Sequence, residues 1–116
     1  PHGVVIVSKL DSLDFDTWGP ILESHTVWPN KANIEFVEVL ETNHVRVKVW
    51  ERGVGPTLAC GTGACAAAVV CARLGLTTRR VTVTLPGGDL LIEWAADNHV
   101  WMTGPATRVF TGQVQI

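Results

Sequence analysis

The chain has 116 residues, 47% of them hydrophobic and 17% charged, with a formal net charge of -2. That suffices for one compact domain with a modest core and is too apolar for a disordered segment. Basic residues are scattered apart from Arg79 and Arg80, which argues against nucleic acid or an anionic membrane as partner, and no apolar run is long enough to cross a bilayer.

The chain opens Pro1-His2-Gly3, with no initiator methionine or leader, and reads as a polypeptide cut within a longer protein. Gly3 to Ser8 is a short continuous apolar run, expected to be a buried strand. In "LDFDTWGPILE", Asp14 or Asp16 is placed to cap a short helix carrying Trp18, Ile21 and Leu22. Pro20 is compatible only with its first turn. Residues 24–32 read as loop. Ile34, Phe36, Val37 and Val39 predict one strand; Val45, Val47 and Val49, alternating with Arg46 and Lys48, predict the next across a Glu41-Thr42-Asn43 hairpin turn.

"ERGVGPTLACG" reads as a loop, followed by an alanine-rich helix from about Gly61 to Leu74 that should be buried on most sides, with Gly75 at its C′ position. "VTVTL" and "LLIEW" flank a Pro-Gly-Gly turn. "HVWMTG" and "TRVFTGQV" predict two more strands. The fold class expected is α+β: an antiparallel or mixed curved sheet of about seven strands wrapped around the alanine-rich helix.

All three cysteines fall within "TLACGTGACAAAVVCARLG". An odd count in one short stretch fits a reducing cytosol better than a disulfide-stapled secreted fold. Cys60 precedes the helix, where unpaired N–H groups and partial positive charge lower a thiol pKa. Gly61 and Gly63 permit close backbone approach, and the same amides can hold a carboxylate. The competing possibility is a packed, inert thiol. At 100° per residue, Cys65 points about 140° away from Cys60, and Cys71 lies about 16 Å further along the axis. Both are expected to pack. No spacing suggests a metal site.

In "WERG", Glu51 and Arg52 end the second hairpin strand. Arg52 can clamp a carboxylate, and Glu51 can meet an ammonium or poise a base; the alternative is an ordinary solvated pair. His2 can assist a thiol or simply end a strand. Asn33 before "IEFV" can be a plain turn residue, and the five tryptophans are expected as core and edge filler.

"WERGVGPTLACGTGACAAA" resembles the second cysteine motif of the diaminopimelate epimerase family, and the similarity extends through the opening "PH", "ANIEFV", "VTVTLPGGDLLIEW" and "TGPATRVFTG". The resemblance implies one half of a pseudo-symmetric fold, with the active site in the cleft between halves. It implies cofactor-independent, metal-free interconversion of LL- and meso-diaminopimelate, in lysine and peptidoglycan precursor synthesis. One cysteine removes the α-proton and the opposing one delivers a proton to the other face. It implies Cys60 as an acid–base residue, with Glu51 and His2 assisting. The Gly61 and Thr62 amides would bind the reacting carboxylate, and Arg52 and Asn33 the distal amino-acid end, with Glu51 also meeting substrate.

Two departures stand out. Pro56 replaces the family's usual Glu. The Asn before Pro1 and the whole first half, with its cysteine, are also absent. Residues 1–105 therefore read as a C-terminal-type half, with residues 106–116 expected as a terminal strand joining the sheet of the N-terminal half. A partner half, a possible homodimer and inactivity of the isolated chain follow from that expectation. Three alternatives stay open: a related racemase or phenazine-type isomerase, a Cys60–His2 hydrolase, and a carboxylate-binding or assembly half without turnover.

Overall fold

A computed structural model describes residues 1–116. The elements run β1 (His2–Val7), a 3-10 turn (Leu10–Ser12), α1 (Phe15–Glu23), β2 (Asn33–Glu41), β3 (His44–Glu51), β4 (Gly55–Thr57), α2 (Gly61–Arg73), β5 (Arg80–Leu85), β6 (Gly88–Trp94) and β7 (Val100–Thr103). One sheet holds all seven strands in the order β1-β2-β3-β5-β6-β7, with β4 also on β3. It is mixed. β1–β2 and β3–β5 are parallel because α1 and α2 respectively intervene in the chain, while the hairpin pairs are antiparallel.

Strand alternation sorts the apolar residues between two helices. Val37, Val45, Val47, Val49, Val81, Val83 and Ile92 face α2 and form the main core with Ala64, Ala67, Ala68 and Cys71. Ile34 and Phe36 face the other way, packing with Leu10 and Ala32 under α1. The small side chains of α2 let the curved sheet close around it. Gly63, Ala64, Ala67, Ala68 and Cys71 make its buried stripe, and only Thr62 and Arg73 are fully exposed.

Four expectations change. Pro20 sits inside α1, beyond its first turn; the helix survives because the Asp14 carbonyl, not its carboxylate, accepts the Thr17 and Trp18 N–H groups, and Pro20 O accepts the Ser24 N–H and hydroxyl. Trp18 and Ile21 lie exposed on it, while Leu22 packs inward. Gly55–Thr57, read as loop, is a short strand on the far half of β3. "TRVFTGQV" forms no strand: residues 104–116 are irregular and exposed, since no sheet edge within this chain lies alongside to take their hydrogen bonds. No helix is long and apolar enough to cross a membrane.

Candidate active site

The topology gathers the singled-out residues at one end of β1, β2 and β3. Parallel pairing sets His2 opposite Asn33 at the starts of β1 and β2, and antiparallel pairing brings the end of β3, Trp50 and Glu51, beside Ile34. Glu51 continues the Val45, Val47, Val49 series and so faces α2. Cys60 is the N-cap of α2, with extended backbone at φ -146 and ψ 103, and its carbonyl accepts the Ala64 N–H at 2.9 Å. The Gly61 and Thr62 amides open the helix without intrahelical partners.

The Cys60 thiol is half-buried and lies 3.7 Å from the Thr62 hydroxyl. Its pKa is raised, not lowered as its place on the helix suggests. Burial is the main cause; the Thr62 hydroxyl and Gly63 amide pull it down, and the Glu51 carboxylate pushes it further up. Cys60 therefore rests as the thiol, with a carboxylate within hydrogen-bonding influence of its proton. Cys65 and Cys71 are also free, and burial raises both; Cys71 is fully enclosed in the core.

His2 does not hydrogen-bond to Cys60. Its Nδ1 lies 2.7 Å from Oε1 of Glu35, a residue that sequence inspection passed over. Glu35 is fully buried on the α2 face of β2, and its Oε2 has no partner. A signal was present: a carboxylate inside the apolar run Ile34–Val37 needs a reason to be there. Asn33 is already engaged, its Oδ1 accepting the Arg52 N–H at 2.7 Å, so only its amide NH2 is left for a ligand. The Arg52 guanidinium is exposed, with one 3.2 Å bond from Nη1 to Asn30 O.

A second missed carboxylate, Glu23, lies under the loop. It accepts Trp50 Nε1 at 3.0 Å and Gly53 N at 2.7 Å, bracketing Glu51 and Arg52. These bonds hold its carboxyl below the usual range. No group of three or more His, Cys, Asp or Glu side chains is arranged to hold a metal ion. No surface hollow is lined by Cys60, Glu51 or His2, so within this chain the site is an open surface at the strand ends.

Comparison with known proteins follows the same residues. The diaminopimelate epimerase family matches residues 1–109. Proteins named diaminopimelate epimerase from Desulfitobacterium hafniense and Desulforudis audaxviator are 56% and 57% identical to 97% of this chain. One from Methanococcus maripaludis is 48% identical over all of it. The chain spans about 40% of the length of these curated relatives. Among solved structures, a phenazine biosynthesis PhzF-family protein from Enterococcus faecalis superposes with TM-score 0.65 at 16% identity, covering 83% of this chain and 34% of that one. One from Bacillus anthracis gives 0.61 at 21%, covering 88% and 33%. At such identities these two speak for the fold alone. The family match spans residues 1–109, which include His2, the Cys60 helix and the last strand, and the chain belongs to the diaminopimelate epimerase family.

Proposed function

We propose that this chain supplies one face of a two-cysteine, cofactor-independent epimerase that interconverts LL- and meso-diaminopimelate. The observation that carries this is the placement of Cys60 at the N-cap of α2, its thiol under the influence of Glu51 and its helix amides free. The substrate carboxylate lies against the Gly61 and Thr62 amides, where the helix end favours the negative charge that grows as the α-proton leaves. Cys60 enters as proton donor because its thiol is protonated at rest; when it must act as base, Glu51 takes its proton. His2 assists. Arg52 and the Asn33 amide meet the distal end of the substrate, Arg52 through its planar fork. The opposing cysteine belongs to an N-terminal half, and residues 106–116, with exposed Val109, Phe110, Val114 and Ile116, join that half's sheet.

The test is incubation with LL-diaminopimelate in deuterium oxide, following chirality and deuterium uptake. An epimerase containing this chain should invert the centre, and its Cys60→Ser variant should lose about 10²- to 10⁴-fold in rate, the usual range for a positioned acid–base group. The 116-residue chain alone should not invert the centre. Inversion by the chain alone, or full activity of Cys60→Ser, overturns the proposal.

A further inference from the structure

Buried Glu35, the partner of half-buried His2, has no part in the scheme above, yet it sits directly beneath the site. Parallel pairing puts Val4 opposite Glu35 and His2 opposite Asn33, so His2 and Glu35 lie two residues apart on neighbouring strands and on the α2 face. Their atoms meet at 2.7 Å, the length of a strong, charge-assisted bond. Only glycine fits above them: a Cβ on Gly63 would lie 2.8 Å from Glu35 Oε1 and 3.2 Å from Cys60 Sγ. The first turn of α2, the carboxyl and the catalytic thiol therefore converge on one point. A carboxylate fully buried with one oxygen unpartnered costs stability, and nothing in the packing of β2 demands it.

We infer that Glu35 is a positioning residue for His2: it holds the imidazole by Nδ1, fixing the ring's orientation and setting its tautomer through its own protonation, and leaves Nε2 as the nitrogen available to the reaction. This rests on the assignment of His2 and Cys60 to one epimerase site. One hydrogen lies between Nδ1 and Oε1 in either charge state. With Glu35 ionised, Nδ1–H donates to Oε1 and the neutral ring keeps its lone pair on Nε2; with Glu35 protonated, its hydroxyl donates to Nδ1 and the neutral ring carries its hydrogen on Nε2. Burial raises the Glu35 carboxyl to about 7, with the His2 hydrogen bond and charge pulling it back, so both arrangements are accessible near neutrality. The ionisable groups around it are His2 from β1 and Cys60 at the start of α2; its partner on β3 is Val49.

The experiment uses the full-length epimerase carrying this chain, ¹⁵N-labelled at histidine, with His2→Gln to assign the ring signals. Wild type should show His2 hydrogen-bonded through Nδ1. In Glu35→Gln, which keeps an acceptor but not the charge, the Nδ1–H proton should move upfield. kcat should fall about tenfold with KM within twofold, and a limb of the pH–rate profile should shift. In Glu35→Met the Nδ1 signature should vanish and kcat should fall about a hundredfold, approaching the loss of an acid–base group. Two results overturn the inference: a folded Glu35→Gln with unchanged ring signals and pH profile, or a Glu35→Met that loses the signature at unchanged kcat. The NMR signature does not depend on turnover. Failure of the site assignment would show separately, as full activity in Cys60→Ser and His2→Gln.

Discussion

Gly63 sets two ordinary rules against each other. Replacing a glycine within a helix by alanine usually stabilises by about 0.5–1 kcal/mol, through lower unfolded-state entropy and better helix propensity. Here the added methyl meets Glu35 Oε1 at 2.8 Å, and that oxygen cannot yield without leaving His2. Gly63→Ala is therefore expected to show no net gain in urea denaturation and to lose the His2 Nδ1 signature. Glu35 itself imposes a pH dependence. Its carboxyl rises from 4.5 to about 7 on folding, so the folded state holds that proton more tightly. The associated stability is present below pH 4.5 and declines as pH rises through 7, by about 3 kcal/mol in all. Glu35→Gln should flatten that slope and be the more stable protein at pH 8, as measured by denaturation from pH 4 to 8.5. Of these residues, Cys60, Glu51, Arg52, His2 and Asn33 stand out in the sequence because they punctuate a motif or a strand end. Glu35 and Glu23 do not, because their meaning comes from partners 33 and 30 residues away.

At the scale of elements, α1 acts as a prop for the Glu51–Arg52 loop. Gly19 lies against the Trp50 indole so closely that a Cβ there would sit 2.4 Å from the ring. Glu23, one turn on, ties that indole and the Gly53 amide to the helix. Gly53 turns the loop with φ at +76, a conformation that favours glycine. Glu23→Ala removes two bonds to a carboxylate and should cost about 1.5–3 kcal/mol. In the assembled enzyme it should raise KM by freeing Arg52, with the Cys60 environment little changed; thermal melts and kinetics check this together. The β2–β3 and β5–β6 hairpins and α2 were legible because period-two alternation and the alanine run are local signals. The strand β4 was not: Gly55-Pro56-Thr57 carries no strand pattern and pairs only because β3 offers an open edge. Likewise Pro20 is tolerated inside α1 because local bonds at Asp14 and Ser24 close its ends and Glu23 ties it to Trp50 and Gly53.

For the whole molecule, the core is complete without the last residues. The tail beyond Gly104 is exposed throughout, and none of it enters either apolar cluster. Truncating at Pro105 should change unfolding free energy by less than about 1 kcal/mol, since exposed termini without buried contacts contribute little. The same truncation in the full-length enzyme should impair assembly of the two halves and so lose epimerisation. A truncated enzyme that stays active would remove residues 106–116 from the proposed junction. A strand was expected here because valine and phenylalanine favour extended structure. Propensity cannot supply the neighbouring edge that a strand requires.

The outer edge of β3 is shared, His44–Arg46 pairing with β5 and Val49–Glu51 with β4. That division has a kinetic consequence. The β2–β3 hairpin closes through a two-residue turn and should form early, within microseconds. The β3–β5 pairing must wait until the chain has doubled back through all of α2, a long loop whose closure is slow. Only then are both ends of α2 anchored, and only then is the Cys60 sulfur drawn into its half-buried seat. Refolding in the presence of a fast thiol probe should therefore label Cys60 in early intermediates and spare it once β5 has docked, so the Cys60 sulfur doubles as a clock for the last step of folding.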